Sequence, residues 1–206
     1  MDPDARYVTV IDCELLETAS ARARQWRGPL DPDPIVLRIA AVPLYLAPPF
    51  ELGPGAQYLM RPLDRTGQQI VLDPEVTARS GITEADMATR SMSVPEALLA
   101  LDRLSGGGRI LSWGKDELHL MAIGCYAAGF KPPIPVGRFG NAAALLHKAG
   151  VPLQDLETVP RREVAALCDL PPVEAASGTE AVTSVARALQ ELLRRGVVSP
   201  ADVSKS

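Results

Sequence analysis

The sequence predicts an α/β protein with a mixed β-sheet flanked by helices, and three observations carry that expectation. Three strand-like segments lead the chain, strand and helix patterns alternate after them, and the opening strand is apolar on both faces until acids end it. At 206 residues with 47% hydrophobic content, the chain can bury one sizeable core. A single domain over residues 1–196 is expected, with residues 197–206 as a flexible C-terminal tail.

The first strand is Tyr7 to Leu16. Side chains alternate faces along a strand, so Asp12 and Glu14 follow Val8 and Val10 on one side, with Ile11, Cys13 and Leu15 on the other. From Thr18 to Pro34 the chain is rich in Arg, Pro, Asp and Gly, which reads as a loop with a short helical piece around Ala19 to Trp26. Ile35 to Leu46 reads as a second strand, in which Pro43 signals a bulge or an edge position. A third strand follows at Ala56 to Met60.

The chain then turns helical. Asp73-Pro74-Glu75 starts a short helix ending near Gly81, Thr83 caps a second, and Ser93 with Glu96 forms a capping box before the stripe Ala97, Leu98, Leu101, Leu104. The triplet Gly106 to Gly108 ends that helix; it lacks the Lys-Ser/Thr of a phosphate-cradling loop. Arg109 to Trp113 reads as a strand, and a helix follows from Asp116 to about Ala128, with Gly129 suited to its end. Asn141 to Lys148 and Asp155 to Cys168 read as helical, and a long terminal helix starts at Glu174 or Thr179 and runs to Arg195.

A net charge of −4 argues against a protein that coats nucleic acid through bulk positive charge. It leaves a nucleic-acid enzyme open, because acids that hold metal ions contribute negative charge themselves. No apolar run approaches the roughly 18 residues of a membrane span, and the first residues lack the features of a signal peptide, so a cytoplasmic location is expected. Cys13, Cys125 and Cys168 lie far apart without metal-site spacing and read as reduced core residues.

Asp12 and Glu14, side by side beside an apolar core, repel each other and lose hydration, at a cost of several kcal/mol per ion unless something compensates. A divalent cation is the simplest compensation, and carboxylate oxygens suit Mg²⁺ or Mn²⁺.

The opening strand resembles the Asp-x-Glu motif of the DEDD superfamily of 3′-5′ exonucleases, in the DnaQ-like, His-containing subclass. Ile35 to Leu44 is similar to the family's next strand, with Arg38 where a glutamate is usual. Ser80-Gly81-Ile82-Thr83 resembles its Thr-Gly-Ile-Thr segment, and Ser112 to Asp116 resembles the segment bearing the third acid, with Asp116 on that acid. The resemblance spans about residues 7 to 195 and implies a ribonuclease H-like fold. It also implies metal ligation of Mg²⁺ or Mn²⁺ by Asp12, Glu14 and Asp116, and hydrolysis at single-stranded DNA or RNA 3′ ends.

The last motif departs. Thr179 stands at the family's histidine and Ser184 at its final aspartate, and no tyrosine follows Tyr126 to supply the alternative subclass. Serine offers only a neutral oxygen, and losing a general base typically costs about 10²–10⁴-fold in rate. Glu174, Glu180 and His119 are the candidate replacements. Two expectations follow: an atypical metal-dependent exonuclease, or a pseudo-nuclease that keeps the fold to bind nucleic acid or a protein partner. A small-molecule enzyme on another α/β fold lacks the glycine-rich loop it would need.

Overall fold

In the computed structural model, residues 7–16, 34–64, 66–114, 116–174 and 178–205 are described. The helical piece expected at Ala19 to Trp26 lies outside them. Strand β1 (Tyr7–Leu16) pairs antiparallel with β2 (Ile35–Tyr45), which pairs antiparallel with β3 (Ala56–Leu59). On its other side β1 runs parallel to β4 (Ile110–Ser112), and β4 parallel to β5 (Phe139–Asn141), giving a five-stranded sheet in the order β3-β2-β1-β4-β5.

Helices cover both faces, which is why β1 and β2 are apolar on both sides. One face carries Val8, Val10, Ala40 and Val42 against α5 (Ala142–Lys148) and α7 (Glu180–Arg194), whose Val185, Leu189 and Leu192 fill the gap. The other carries Ile11, Cys13, Leu15 and Ile39 against α3 (Val94–Ser105) and α4 (Asp116–Ala127) through Leu98, Leu101, Leu120 and Met121. A smaller cluster, Leu37, Leu59, Val76, Ile82 and Met87, packs α1 (Pro74–Ser80) and α2 (Glu84–Arg90) at the β3 side.

Helix ends follow local chemistry. Asp73 accepts the Glu75 N–H to start α1, and Gly81 ends it at φ 67°. Thr83 with Asp86, and Ser93 with Glu96, form capping boxes for α2 and α3.

Several elements differ from the sequence expectation. Pro43 lies inside β2, which has neighbours on both sides, and the bulge of that strand falls elsewhere, at Leu37, which is passed over where Glu14 pairs with Arg38 and Leu15 with Val36. Proline is tolerated there because the N–H and C=O of one strand residue face the same neighbour. The Pro43 carbonyl accepts Gly53 N–H at 2.8 Å, so the missing donor falls on that side and leaves the β1 ladder intact. The segment expected as helix from Asp155 to Cys168 is broken at Val159-Pro160 into α6 (Leu153–Thr158) and a 3-10 helix, Arg161–Cys168. The expected tail is not free: α8 (Pro200–Lys205) docks Val198 and Val203 into the core, and Lys148 binds Asp202 at 2.5 Å.

Candidate functional site

The ladder between β1 and β4 is short, pairing only Thr9 with Ile110 and Val10 with Leu111. Beyond it β1 continues to Asp12 and Glu14, while the chain after β4 turns into α4. Acids from both elements therefore meet at the C-terminal ends of two parallel strands, where α/β sheets open a crevice. Asn141 shapes this corner, its side-chain oxygen accepting the N–H groups of Gly114 at 3.1 Å and Ala143 at 2.9 Å.

The acid that α4 contributes is Glu117. It is 1% exposed, and it shares the inward stripe with Leu120, Met121 and Cys125 at positions i+3, i+4 and i+8. Asp116, one residue earlier, is exposed, and so is His119. The i+3 and i+4 spacing was legible in the sequence and marks Glu117 rather than Asp116 as the inward residue.

Between Asp12 and Glu117 lies Arg161. Its Nη1 donates to Asp12 Oδ1 and, at 2.6 Å, to Glu117 Oε1. The guanidinium is largely buried. Burial by itself would lower its pKa; Asp12 first and Glu117 next outweigh that, the net shift is upward, and the charge stays. Glu117 is pushed up from the ordinary glutamate value, chiefly by burial, against the pull of Arg161 and with help from Asp12. Its Oε2 is buried without a hydrogen-bond partner among the described residues. One guanidinium is thus shared by two carboxylates, and the deeper one holds its proton more strongly than a free glutamate. Burial, Glu117 and Asp12 likewise push the Cys13 thiol well up.

Glu14 is compensated the same way. Arg79 Nε stands 3.5 Å from its Oε1 and Arg38 Nη2 4.0 Å from its Oε2. Arg38, 8% exposed on central β2, also donates to the Ser80 carbonyl at 3.3 Å. Gly178, at φ +81°, makes room for it, since a Cβ there would fall 2.2 Å from Arg38 Nη1.

At the other departures, Thr179 is the N-cap residue of α7 and Ser184 is fully buried. The Ser184 hydroxyl accepts Ala165 N–H at 2.8 Å, holding the 3-10 helix that begins with Arg161. Arg195 secures its far end by donating to the Cys168 carbonyl at 2.6 Å. Glu180 turns back to accept Gly178 N–H at 2.7 Å, and Glu174 is exposed.

The arrangement is the ribonuclease H-like fold of the DEDD 3′-5′ exonucleases. The nuclease domain of 3′hExo, a DEDDh family member bound to rAMP, superposes with a TM-score of 0.73 at 17% identity, covering 96% of each chain. A 3′-exonuclease in 3′-end-specific recognition of a histone mRNA stem-loop gives 0.72 at 17% identity, over 94% of this chain and 84% of that one. The zinc-bound E. coli ExoI–ssDNA complex gives 0.60 at 12%, over 93% of this chain but only 41% of the longer protein. No protein-family model and no curated protein matches the chain.

The residues present do not fit the metal centre that this fold implies. A guanidinium stands between Asp12 and Glu117, and Ser184 is committed to a backbone N–H. Among the described residues, no group of three or more His, Cys, Asp or Glu side chains is placed to hold an ion. No described helix is long and apolar enough to cross a membrane.

Proposed function

We propose that this protein engages single-stranded nucleic-acid 3′ ends on an exonuclease fold without hydrolysing them. The observation that carries this reading is Arg161, which joins Asp12 to Glu117 where an exonuclease of this fold would gather acids around divalent ions. A guanidinium cannot lower the pKa of a water or bridge attacking and leaving oxygens as a pair of ions does, so the charge is balanced and the chemistry is lost. Thr179 and Ser184 supply neither a base nor a fourth carboxylate. The case for nucleic acid as the ligand rests on the fold, whose solved neighbours hold rAMP, a histone mRNA stem-loop and single-stranded DNA. With a net charge of −4, recognition is local rather than carried by bulk positive charge.

The test pairs binding with cleavage. Fluorescein-labelled single-stranded DNA and RNA oligonucleotides, with free or blocked 3′ ends, are titrated in Mn²⁺ and in EDTA, and the products are run on denaturing gels. The expected result is binding that prefers the free 3′ end, is unchanged by EDTA, and leaves the oligonucleotide full length. Mn²⁺-dependent shortening that Asp12→Ala abolishes would instead establish a metal-dependent exonuclease, with Asp12, Glu14 and Asp116 as the ligand set to be tested next. Absence of binding to every oligonucleotide would leave the fold to a protein partner.

A further inference from the structure

We propose that Arg161 is a built-in counter-ion, and that removing its charge turns Asp12 and Glu117 into a site for a hard divalent cation. The inference rests on the non-hydrolytic reading above. Asp12 Oδ1 and Glu117 Oε1 come from different elements, the end of β1 and the first turn of α4, yet both converge on one atom, Arg161 Nη1. That convergence is what an ion requires, since Mg²⁺ and Mn²⁺ sites are commonly built on one or two carboxylates with water completing the shell. The second carboxylate oxygen of Glu117 is buried without a partner among the described residues, an acceptor in reserve on a side chain 1% exposed.

The guanidinium is held by its own supports, so it is part of the fold. It opens an eight-residue 3-10 helix, longer than most such runs, fixed to α7 through Ser184 and to Arg195 through the Cys168 carbonyl. Serine at 184 suits this arrangement, because its hydroxyl accepts the Ala165 N–H and adds no further buried charge.

Mn²⁺ binding to the full chain, followed by loss of the free-ion electron paramagnetic resonance signal, tests the inference. Wild type is expected to take up no stoichiometric Mn²⁺. Arg161→Gln and the bulkier neutral Arg161→Met are each expected to bind one ion at least tenfold more tightly than wild type, whereas Arg161→Lys, which keeps the charge, gains nothing. Adding Asp12→Asn or Glu117→Gln to Arg161→Gln should abolish the gain. Tight binding by wild type, no gain in either neutral variant, or a gain that survives loss of both acids overturns the proposal. If a neutral variant unfolds without metal, recovery of its far-ultraviolet circular dichroism on adding Mn²⁺ supports the inference, and failure to recover counts against it. Metal-dependent cleavage by wild type would sink the functional reading, while an Arg161→Gln protein that ignores Mn²⁺ sinks this inference alone.

Discussion

At the scale of single residues, the site turns on how a buried charge is balanced. Asp12 and Glu14 were legible because a strand alternates with period two, which put both on one face regardless of what packs nearby. Glu117 was legible too, one position beyond the acid the family resemblance selects, because the apolar stripe of α4 passes through it. Arg161 was not, since its partner Asp12 lies 149 residues away and no local pattern marks an arginine that will turn inward. The raised pKa of Glu117 has a consequence that a pH series reads directly. A carboxyl whose folded value exceeds its unfolded one, about 4.3 for glutamate, contributes its full stability below the unfolded value and loses it as pH rises through the folded value. Glu117→Gln escapes that loss. Its stability relative to wild type, from urea midpoints, is expected to improve from about pH 4 until the pH passes the folded value of Glu117 and then to level off, and a difference independent of pH would show that Glu117 ionises like a free side chain.

At the scale of elements, what was written locally came out as written. Asp73, Thr83 and Ser93 cap helices through their own side chains, and Gly81 and Gly106 end them in the left-handed region. What depended on distant pairing did not. Strand β5 is three residues long and exists because β4 lies beside it. The run Asp155 to Cys168 has helical composition, but Pro160 interrupts it and the second half winds as a 3-10 helix against α7. Ser184 is the tie between the two. Ser184→Ala leaves the buried Ala165 N–H without its acceptor and is expected to cost about 1–3 kcal/mol in denaturant unfolding; a loss below about 0.5 kcal/mol would show that the tie is not needed. The same variant loosens the segment carrying Arg161, so amide exchange should rise over residues 161–168 before it rises in the sheet.

At the scale of the whole molecule, one sheet is shared by two cores. β1 and β2 give Val8, Val10 and Ala40 to one face and Ile11, Cys13 and Ile39 to the other, so neither core separates without breaking the same strands. Leu189→Ala on the α7 side and Leu101→Ala on the α3 side are each expected to cost about 2–5 kcal/mol. Near- and far-ultraviolet circular dichroism should report a single coincident transition in both variants; separate transitions would mean that the faces unfold independently. The α/β class and the helix order were readable in advance because they follow from periodicity and caps summed along the chain. The docking of α8 was not, because Val198 and Val203 become core only when α5 and α7 are already in place. The arginine wedged between two carboxylates also constrains which neighbouring sequences this protein can reach. Losing Arg161 first takes away the guanidinium that buried Glu117 shares with half-buried Asp12, and breaking a buried pair by removing one partner costs about 3–5 kcal/mol. Converting Ser184 to aspartate first adds a buried carboxylate with no cation assigned to it and removes the anchor of the 3-10 helix. Either order of single changes toward a four-acid cage passes through a destabilised protein, so the present centre sits in a valley of sequence space from which only paired substitutions, or a divalent ion present at the moment of change, offer a way out.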